Sequence, residues 1–240
     1  MTTIEGRTTE IAAGIYQVTT HIADIDFSFN QYLITGDDPM LFHTGPRAMF
    51  PLISKSVGTV IPVDTLRWIA FGHFEADECG SMNEWLEAAP NAQIGHSSTG
   101  CMVSVNDQSA RPPVPFTDGG TTDIGGHVMR WIDTPHVPHA WEAGVLYDET
   151  TKTLFCGDLF TQLGANDASS DSDPMERTIL TEDVFHYSCL SPQSGATVRK
   201  LAELDVATLA VMHGPTYSGD CKAALLALAD DYDRRIAAAS

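Results

Sequence analysis

Short apolar runs separated by turn residues fill the first part of the chain, and their pattern predicts a succession of buried strands. Such runs lie at 15–18, 29–34, 40–42 and 66–71. Turn residues at 36–39 predict a hairpin between the second and third of these strands. Residues 47–60 instead carry apolar side chains at helical spacing, so a helix is expected before the fourth strand.

The second part of the chain continues this alternation of strands and helices. Further strands are predicted at 93–95, 127–132, 143–147, 153–156 and 208–212. Helices are predicted at 82–88, 179–187, 194–204 and 220–238, and loops at the turn-rich segments 96–100, 103–120 and 164–178. Strand signals resume after the loops, which predicts one α/β domain over residues 1–240 rather than two linked domains.

Composition and charge exclude several classes of partner. The chain has 240 residues, and its 32 acidic and 13 basic residues give a formal net charge of -19. Nucleic acid and anionic membranes both require a basic surface, so neither is expected as a partner. No apolar run reaches the roughly 20 residues of a membrane helix. The N-terminal residues also lack the apolar core of a secretory signal.

Cysteine usage indicates the compartment. Five cysteines are present, an odd number, and no two of them form a CxxC pair. A disulfide framework or a thiolate zinc site is therefore not expected. Free thiols are typical of a reducing environment, so the sequence predicts a cytoplasmic protein.

The stretch that follows the fourth strand carries metal-ligand chemistry. His73, Glu75 and Asp77 alternate with other residues directly after the apolar run at 66–71. In extended backbone such alternate side chains point to one side, so one imidazole and two carboxylates should converge at a strand end. Ser81 and Glu84 then have the spacing of a capping box, which predicts a helix start.

Three further residues are expected at the same place. His139 and Asp158 flank the predicted hairpin at 143–156 almost symmetrically, and antiparallel pairing would bring them together at its open end. His213 directly follows the last predicted strand, and strand ends are where ligand sites collect in α/β folds.

The pooled set predicts a dinuclear metal centre with three imidazoles and three carboxylates. Its members are His73, Glu75, Asp77, His139, Asp158 and His213. This set suffices for two metals roughly 3.5–4 Å apart with one bridging carboxylate. Oxygen-rich donors without thiolate favour iron or manganese, and zinc is a further alternative. A metal-free network of buried ion pairs is disfavoured, because dense buried carboxylates are costly without a cation.

The same segments resemble the metallo-β-lactamase superfamily. The matching stretches are 41–45, 73–78, His139, 154–158 and 212–214. Glutamate at position 75, where the superfamily usually has histidine, resembles the flavodi-iron proteins and their stand-alone relatives, the oxygen-binding di-iron proteins. The resemblance implies a four-layer αββα sandwich, the metallo-β-lactamase fold.

The resemblance also implies how two iron ions would be held. One iron would take His73, Glu75 and His139, while the other would take Asp77 and His213. The carboxylate of Asp158 would bridge the two ions.

Four other residues have open roles around this set. Many relatives have histidine where this chain has Glu78. Glu78 would either ligate the second iron or leave a water or an open position on that iron. His43 replaces a common aspartate and would hold a ligand carboxylate. His136 competes with His139, although the spacing in the superfamily favours His139 and leaves His136 beside the ligands or in the pocket. Tyr217 either faces the cavity or is an ordinary loop aromatic.

These features are compatible with three functions. The first is a non-haem di-iron protein that binds dioxygen or another small diatomic ligand, and that senses oxygen or reduces O2 or NO. No flavodoxin-like segment follows the sandwich, so a separate flavin or redox donor protein would supply electrons.

The alternative is a dinuclear hydrolase acting on an ester, thioester, lactone or phosphodiester. Glu75 disfavours it, because an added negative charge makes the first metal a poorer Lewis acid. A binding module without turnover is a third hypothesis. Homodimers are common in the resembling families, although the sequence identifies no interface.

Overall fold

The computed structural model describes residues 6–165 and 167–239, and a seven-stranded sheet forms the first half of this structure. Its strands lie side by side in chain order: β1 (Gly6–Ala12), β2 (Ile15–Ile22), β3 (Phe27–Ile34), β4 (Met40–Phe42), β5 (Trp68–Ala70), β6 (Gln93–Ser97) and β7 (Val114–Phe116). The pairs from β1 to β4 are antiparallel, whereas those from β4 to β7 are parallel. This is the first sheet.

The second sheet is also seven-stranded and mixed. Its strands are β8 (Thr121–Asp123), β9 (Val128–Asp133), β10 (Gly144–Asp148), β11 (Thr153–Phe155), β12 (Ser169–Ser170), β13 (Thr208–Ala210) and β14 (Thr216–Tyr217). Their spatial order is β12-β14-β13-β11-β10-β9-β8. β11 pairs with β13 in parallel, and β12 pairs with β14 in parallel, while the other pairs are antiparallel.

Helices connect and cover the strands. The α-helices are α1 (Phe50–Val57), α2 (Ala76–Cys79), α3 (Met82–Ala88), α4 (Ser98–Gly100), α5 (Asn106–Gln108), α6 (Met175–Phe185), α7 (Ser194–Leu201) and α8 (Cys221–Ala239). Short 3-10 turns lie at Ala23–Ile25, Arg47–Met49 and Val63–Thr65, and a π-helical turn lies at Cys101–Val105. None of the helices in the described ranges combines the length and the apolar character that crossing a bilayer demands.

Three apolar clusters define four layers. One cluster lies between the sheets and contains Tyr32, Phe42 and Phe155. A second packs α1 and α3 on the outer face of the first sheet, with Trp85 among its fully buried side chains. The third packs α7 and α8 on the outer face of the second sheet around residues such as Leu228. Each layer buries its apolar side against the next, so the predicted αββα sandwich is confirmed.

Hydrogen bonds between the sheets fix the loops at one end of the sandwich. The Asn30 amide of β3 donates from Nδ2 to the carbonyls of Val211 and Gly214, at 2.9 and 2.8 Å. The backbone N–H of Gly144 donates to the carbonyl of Gly72 at 2.8 Å. The loop after β13 is therefore tied to the first sheet, and the loop after β5 is tied to the second.

Some local predictions differ from the structure. Ser81 does not cap α3 with its side chain. Its hydroxyl donates instead to the Thr44 carbonyl at 2.8 Å, and Glu84 forms an ion pair with Arg47. The capping-box prediction was wrong because these tertiary partners compete for both side chains. The predicted loops at 96–100, 103–120 and 164–178 also contain short helices and strands, namely α4, α5, β7, β12 and the start of α6.

Candidate metal centre

The loop after β5 brings three predicted ligands to one edge of the sandwich by a bend and a helical turn. His73 lies in the bend, Glu75 has extended backbone with φ -133° and ψ 154°, and Asp77 lies in the single turn of α2. The expected extended alternation therefore does not continue to Asp77. Nε2 of His73 lies 2.8 Å from Oε2 of Glu75.

His139 approaches the same two side chains from the loop between β9 and β10. Its Nε2 lies 2.8 Å from Nε2 of His73 and 3.0 Å from Oε2 of Glu75. Its Nδ1 lies 3.0 Å from the carbonyl oxygen of Tyr187, which can only accept a hydrogen bond. Nδ1 therefore carries the proton, and in a neutral ring Nε2 presents its lone pair to the centre.

His213 has the same orientation on the other side of the centre. Its Nδ1 donates to the carbonyl of Ser28 at 2.8 Å, so its Nε2 is the free ring nitrogen. Nε2 lies 3.1 Å from Oδ2 of Asp77. The Phe27 ring stacks on this imidazole with 4.3 Å between the ring centroids.

Asp158 stands between the two groups with one oxygen turned to each. Its Oδ2 lies 3.4 Å from Nε2 of His139 and 3.7 Å from Nε2 of His73, whereas its Oδ1 lies 3.2 Å from Nε2 of His213. One ligand atom from each of His73, Glu75, His139 and Asp158 lies within 4.8 Å of the others. This spacing suits a shared cation.

One buried oxygen of the cluster has no hydrogen-bond partner, and this tests whether a metal would fit. Oδ1 of Asp77 is buried without a hydrogen-bond partner among the described residues. A buried carboxylate oxygen is costly to leave unpaired, so a cation beside it would remove a penalty. The donors are imidazoles and carboxylates, which suit first-row metals such as iron, manganese and zinc.

The charge states favour cation binding as well. Hydrogen bonds from His139 and His73 lower the pKa of the Glu75 carboxyl to about 2. Burial raises the pKa of Asp158, but His213 and the other imidazoles outweigh burial and hold that pKa well below its ordinary value. Burial lowers the pKa of His213, yet Asp158 and Asp77 raise it to about 10. In the metal-free protein, protons on the imidazoles balance the ionised carboxylates, and a metal would displace them.

A cavity of about 440 Å³ opens onto this cluster. Beyond the proposed ligands, it is lined by Ile25, Phe27, Thr161, Phe185 and Tyr187. The mouth is therefore largely apolar, although the base carries the charged side chains. Such a cavity suits a small, weakly polar ligand.

The structure separates the alternatives left open for Glu78 and His43. The Glu78 carboxylate is fully buried behind the His73 ring, where Oε2 accepts from the His73 backbone N–H at 2.7 Å and Oε1 lies 3.2 Å from Nδ1. It therefore faces away from Nε2 and the centre. His43 lies 3.3 Å from this carboxylate, so the prediction that His43 holds one of the ligand carboxylates was wrong.

His136 lies outside the cluster. Its backbone is left-handed with φ +66°, and its N–H donates to the Ala140 carbonyl in a turn. This turn leaves the His136 side chain exposed while His139 points inward. His136 lines a separate cavity of about 530 Å³ with Asp133 and Lys200, so its predicted place beside the ligands was wrong.

Tyr217 does not face the metal-site cavity either. It lies in β14 opposite Leu209, and its ring packs in the apolar layer under α8. The aromatic side chains that line the cavity, which sequence reasoning missed, are Phe27, Phe185 and Tyr187. Phe185 and Tyr187 fall within the predicted helix at 179–187, but nothing in the sequence pairs that segment with His139.

Comparison with known proteins gives a consistent set of similarities. The model of a family described as ODP family beta lactamase matches residues 27–214. The chain is 26% identical over 208 residues to the putative diflavin flavoprotein A 2 of Synechocystis sp., covering 80% of this chain and 35% of that protein. It is also 26% identical to the anaerobic nitric oxide reductase flavorubredoxin of Salmonella arizonae, covering 78% of this chain and 41% of that protein.

A solved structure shows the same fold. The rubredoxin oxygen:oxidoreductase from Desulfovibrio gigas superposes with a TM-score of 0.79 at 18% identity, covering 95% of this chain and 62% of that one. The chain spans little more than a third of the length of the curated relatives it matches, 35% in the case of the Synechocystis protein.

Proposed function

The chain belongs to the family described as ODP family beta lactamase, and from this premise we propose that it is a non-haem di-iron protein. We propose that it binds dioxygen or nitric oxide and takes part in the reduction of one of them. Its similarity to a nitric oxide reductase flavorubredoxin and to a rubredoxin oxygen:oxidoreductase supports this reaction class.

The two-sided position of Asp158 carries the proposal. One of its oxygens faces His139 and His73, and the other faces His213. In the proposed centre His73, Glu75 and His139 would hold one iron, while Asp77 and His213 would hold the other. Asp158 would supply an oxygen to each.

The donor set favours iron over zinc. Within the described part of the chain, the cluster consists of imidazoles and carboxylates and includes no thiolate. Carboxylate donors stabilise the more highly charged state of a redox metal, so this set suits an ion that cycles between two oxidation states. Manganese and zinc remain alternatives that elemental analysis distinguishes.

The residues around the centre have defined tasks in this proposal. Bound iron would supply the electron transfer that reduces O2 or NO. The carbonyls of Tyr187 and Ser28 hold His139 and His213 in the tautomer that presents Nε2. The aromatic rings of Phe27 and Phe185 line the entrance, where they admit a small apolar ligand and limit access by water.

We propose that electrons come from a separate flavin or redox donor protein. The Synechocystis relative is named as a diflavin flavoprotein. A sensor with the same centre would bind oxygen without sustained turnover, so the rate of reduction with a supplied donor separates the two roles. A cytoplasmic setting fits the five free thiols. Size-exclusion chromatography with light scattering would test a homodimer.

The test begins with protein purified under nitrogen. We expect about two irons per chain, a new visible absorption band when oxygen or nitric oxide is admitted, and consumption of that gas in the presence of a chemical reductant. Colourless protein with zinc in the site, no reaction with either gas and rapid hydrolysis of a thioester or phosphodiester would overturn the proposal and favour the hydrolase.

A further inference from the structure

Glu78 is a fully buried carboxylate between two buried imidazoles. Its Oε2 accepts a hydrogen bond from the backbone N–H of His73 at 2.7 Å. Its Oε1 lies 3.2 Å from Nδ1 of His73 and 3.3 Å from Nε2 of His43. His43 is also fully buried. The carboxylate therefore contacts both the backbone and the ring of one proposed ligand.

The surrounding backbone leaves room for this carboxylate. A Cβ added to Gly72 would lie 3.1 Å from Oε2 of Glu78, and one added to Gly157 would lie 3.2 Å from Oε1. Both distances are closer than side-chain carbons usually approach, and Gly157 also has a left-handed backbone with φ +52°. Two glycines thus form the walls of the space that Glu78 fills.

His73 differs from the other proposed histidine ligands in the partner of its Nδ1. Nδ1 of His139 faces the neutral Tyr187 carbonyl, and Nδ1 of His213 faces the neutral Ser28 carbonyl. Nδ1 of His73 faces a carboxylate. An anionic partner at Nδ1 makes the ring a stronger electron donor at Nε2 than a carbonyl does, because it stabilises positive charge on the imidazole.

We propose that Glu78, held in place by His43, is a positioning residue that acts through His73. It fixes the tautomer that presents Nε2 and makes the His73 half of the centre the more electron-rich half. The inference rests on the proposed function, because it takes His73 as a metal ligand. It predicts that the two halves bind metal with different affinity.

The test compares Glu78→Gln with a matched control, Glu142→Gln. Glutamine keeps an acceptor for the His73 backbone N–H but removes the charge. Glu142 is also buried, and it accepts from the neighbouring backbone N–H of Phe74 at 3.1 Å. Because the Glu142 carboxylate accepts from the Phe74 backbone N–H, its variant measures the loss of a buried carboxylate that bonds to backbone.

The primary measurement is zinc affinity by competition with a chromophoric chelator, which is independent of redox chemistry. For Glu78→Gln we expect one of the two zinc ions to bind about 10–100-fold more weakly and the other to be nearly unchanged. In the iron-loaded protein the midpoint potential should rise, because the ferric state loses an anionic partner. Glu142→Gln should match the wild type in both measurements.

Failure of this inference and failure of the proposed function give different results. Equal zinc affinities and equal midpoint potentials in wild type and Glu78→Gln would overturn the role of Glu78. The two-metal centre proposed for the wild type would not be affected by that result. Wild-type protein that binds two zinc ions but is inert to oxygen and nitric oxide would refute the proposed function. The zinc affinities of wild type and Glu78→Gln would still test the role of Glu78 in that case.

If Glu78→Gln does not fold, Glu78→Asp supplies the decision, because it keeps the negative charge but withdraws the carboxylate from Nδ1 of His73. We expect the same single zinc ion to bind about tenfold more weakly than in the wild type. Wild-type affinity for both zinc ions would overturn the inference.

Discussion

Replacing Asp158 by asparagine is expected to disable both halves of the centre at once. Asparagine has nearly the same shape, but it removes the negative charge and turns one ligand oxygen into an amide nitrogen, which does not coordinate metal. Each oxygen of Asp158 faces a different group of imidazoles, at 3.2 Å from His213 and 3.4 Å from His139. A single change therefore removes the oxygen ligand of one metal and the negative charge that acts on both.

The magnitude follows from these distances. At the 3.2 Å between Asp158 Oδ1 and His213 Nε2, two unit charges attract by about 5 kcal/mol when the effective dielectric constant is about 20. A divalent ion near the same carboxylate would be attracted more strongly. Even if the remaining carbonyl oxygen recovers half of this energy, affinity at each half should fall by about 100-fold, which corresponds to about 2.7 kcal/mol.

The assay is metal content per chain after anaerobic loading and desalting, followed by chelator competition. We expect about two irons in the wild type and fewer than one in Asp158→Asn. The control is Asp148→Asn, which removes a carboxylate that is likewise buried and lies 2.8 Å from an imidazole, that of His127, in a separate contact. Two tightly held metals in Asp158→Asn, with affinities within threefold of the wild type, would refute the bridging role.

Other consequences of the structure can be measured independently. Burial raises the pKa of Asp148, but hydrogen bonds from His127 and Thr151 outweigh burial and hold this pKa below the ordinary 3.8. The ionised carboxylate therefore stabilises the fold above pH 3.8, and this stabilisation is lost as the pH falls through the folded-state pKa. Denaturant unfolding should therefore show that Asp148→Asn lowers the free energy of unfolding by about 3 kcal/mol at pH 7. This free energy should also fall less steeply with acid than in the wild type, and an unchanged acid profile would contradict the prediction. Phe27→Ala removes the ring that stacks on His213 at 4.3 Å, so chelator competition should show about tenfold weaker binding of one metal, with the other unaffected; equal weakening of both would contradict it. A Cβ on Gly144 would lie 2.2 Å from Cζ2 of Trp131, so Gly144→Ala should lower the free energy of unfolding by about 1–3 kcal/mol without changing metal content; thermal unfolding and elemental analysis would check both points.

The broad architecture could be predicted from the sequence because its signals are local. Apolar runs and turn residues identify strands within a few residues of their observed positions, as at Ile15–Ile22 and Thr208–Ala210. The six proposed ligands could be selected because each one lies just beyond a predicted strand or hairpin. Parallel strands bring such positions to one edge of a sheet, and the structure brings the six side chains together there.

The surroundings of those ligands could not be predicted, because they depend on contacts between distant segments. The carbonyl that orients His213 belongs to Ser28, 185 positions away in the chain, and the one that orients His139 belongs to Tyr187. Neither contact has a local sequence signal. The direction of Glu78 also depends on tertiary structure, because α2 turns its side chain behind His73 and the distant Gly157, with the nearby Gly72, leaves space for it.

These long-range contacts imply that metal binding and the packing of the two sheets are linked. His73 and Asp77 follow a strand of the first sheet, while His213 follows a strand of the second and is held by the Ser28 carbonyl of the first. Asn30 adds two further hydrogen bonds between β3 and the loop that carries His213. A metal that binds this assembled edge but not the unfolded chain must stabilise the docking of the sheets, by an amount that grows with its concentration relative to its dissociation constant. The centre should therefore contribute to the stability of the whole sandwich rather than only to the order of its loops.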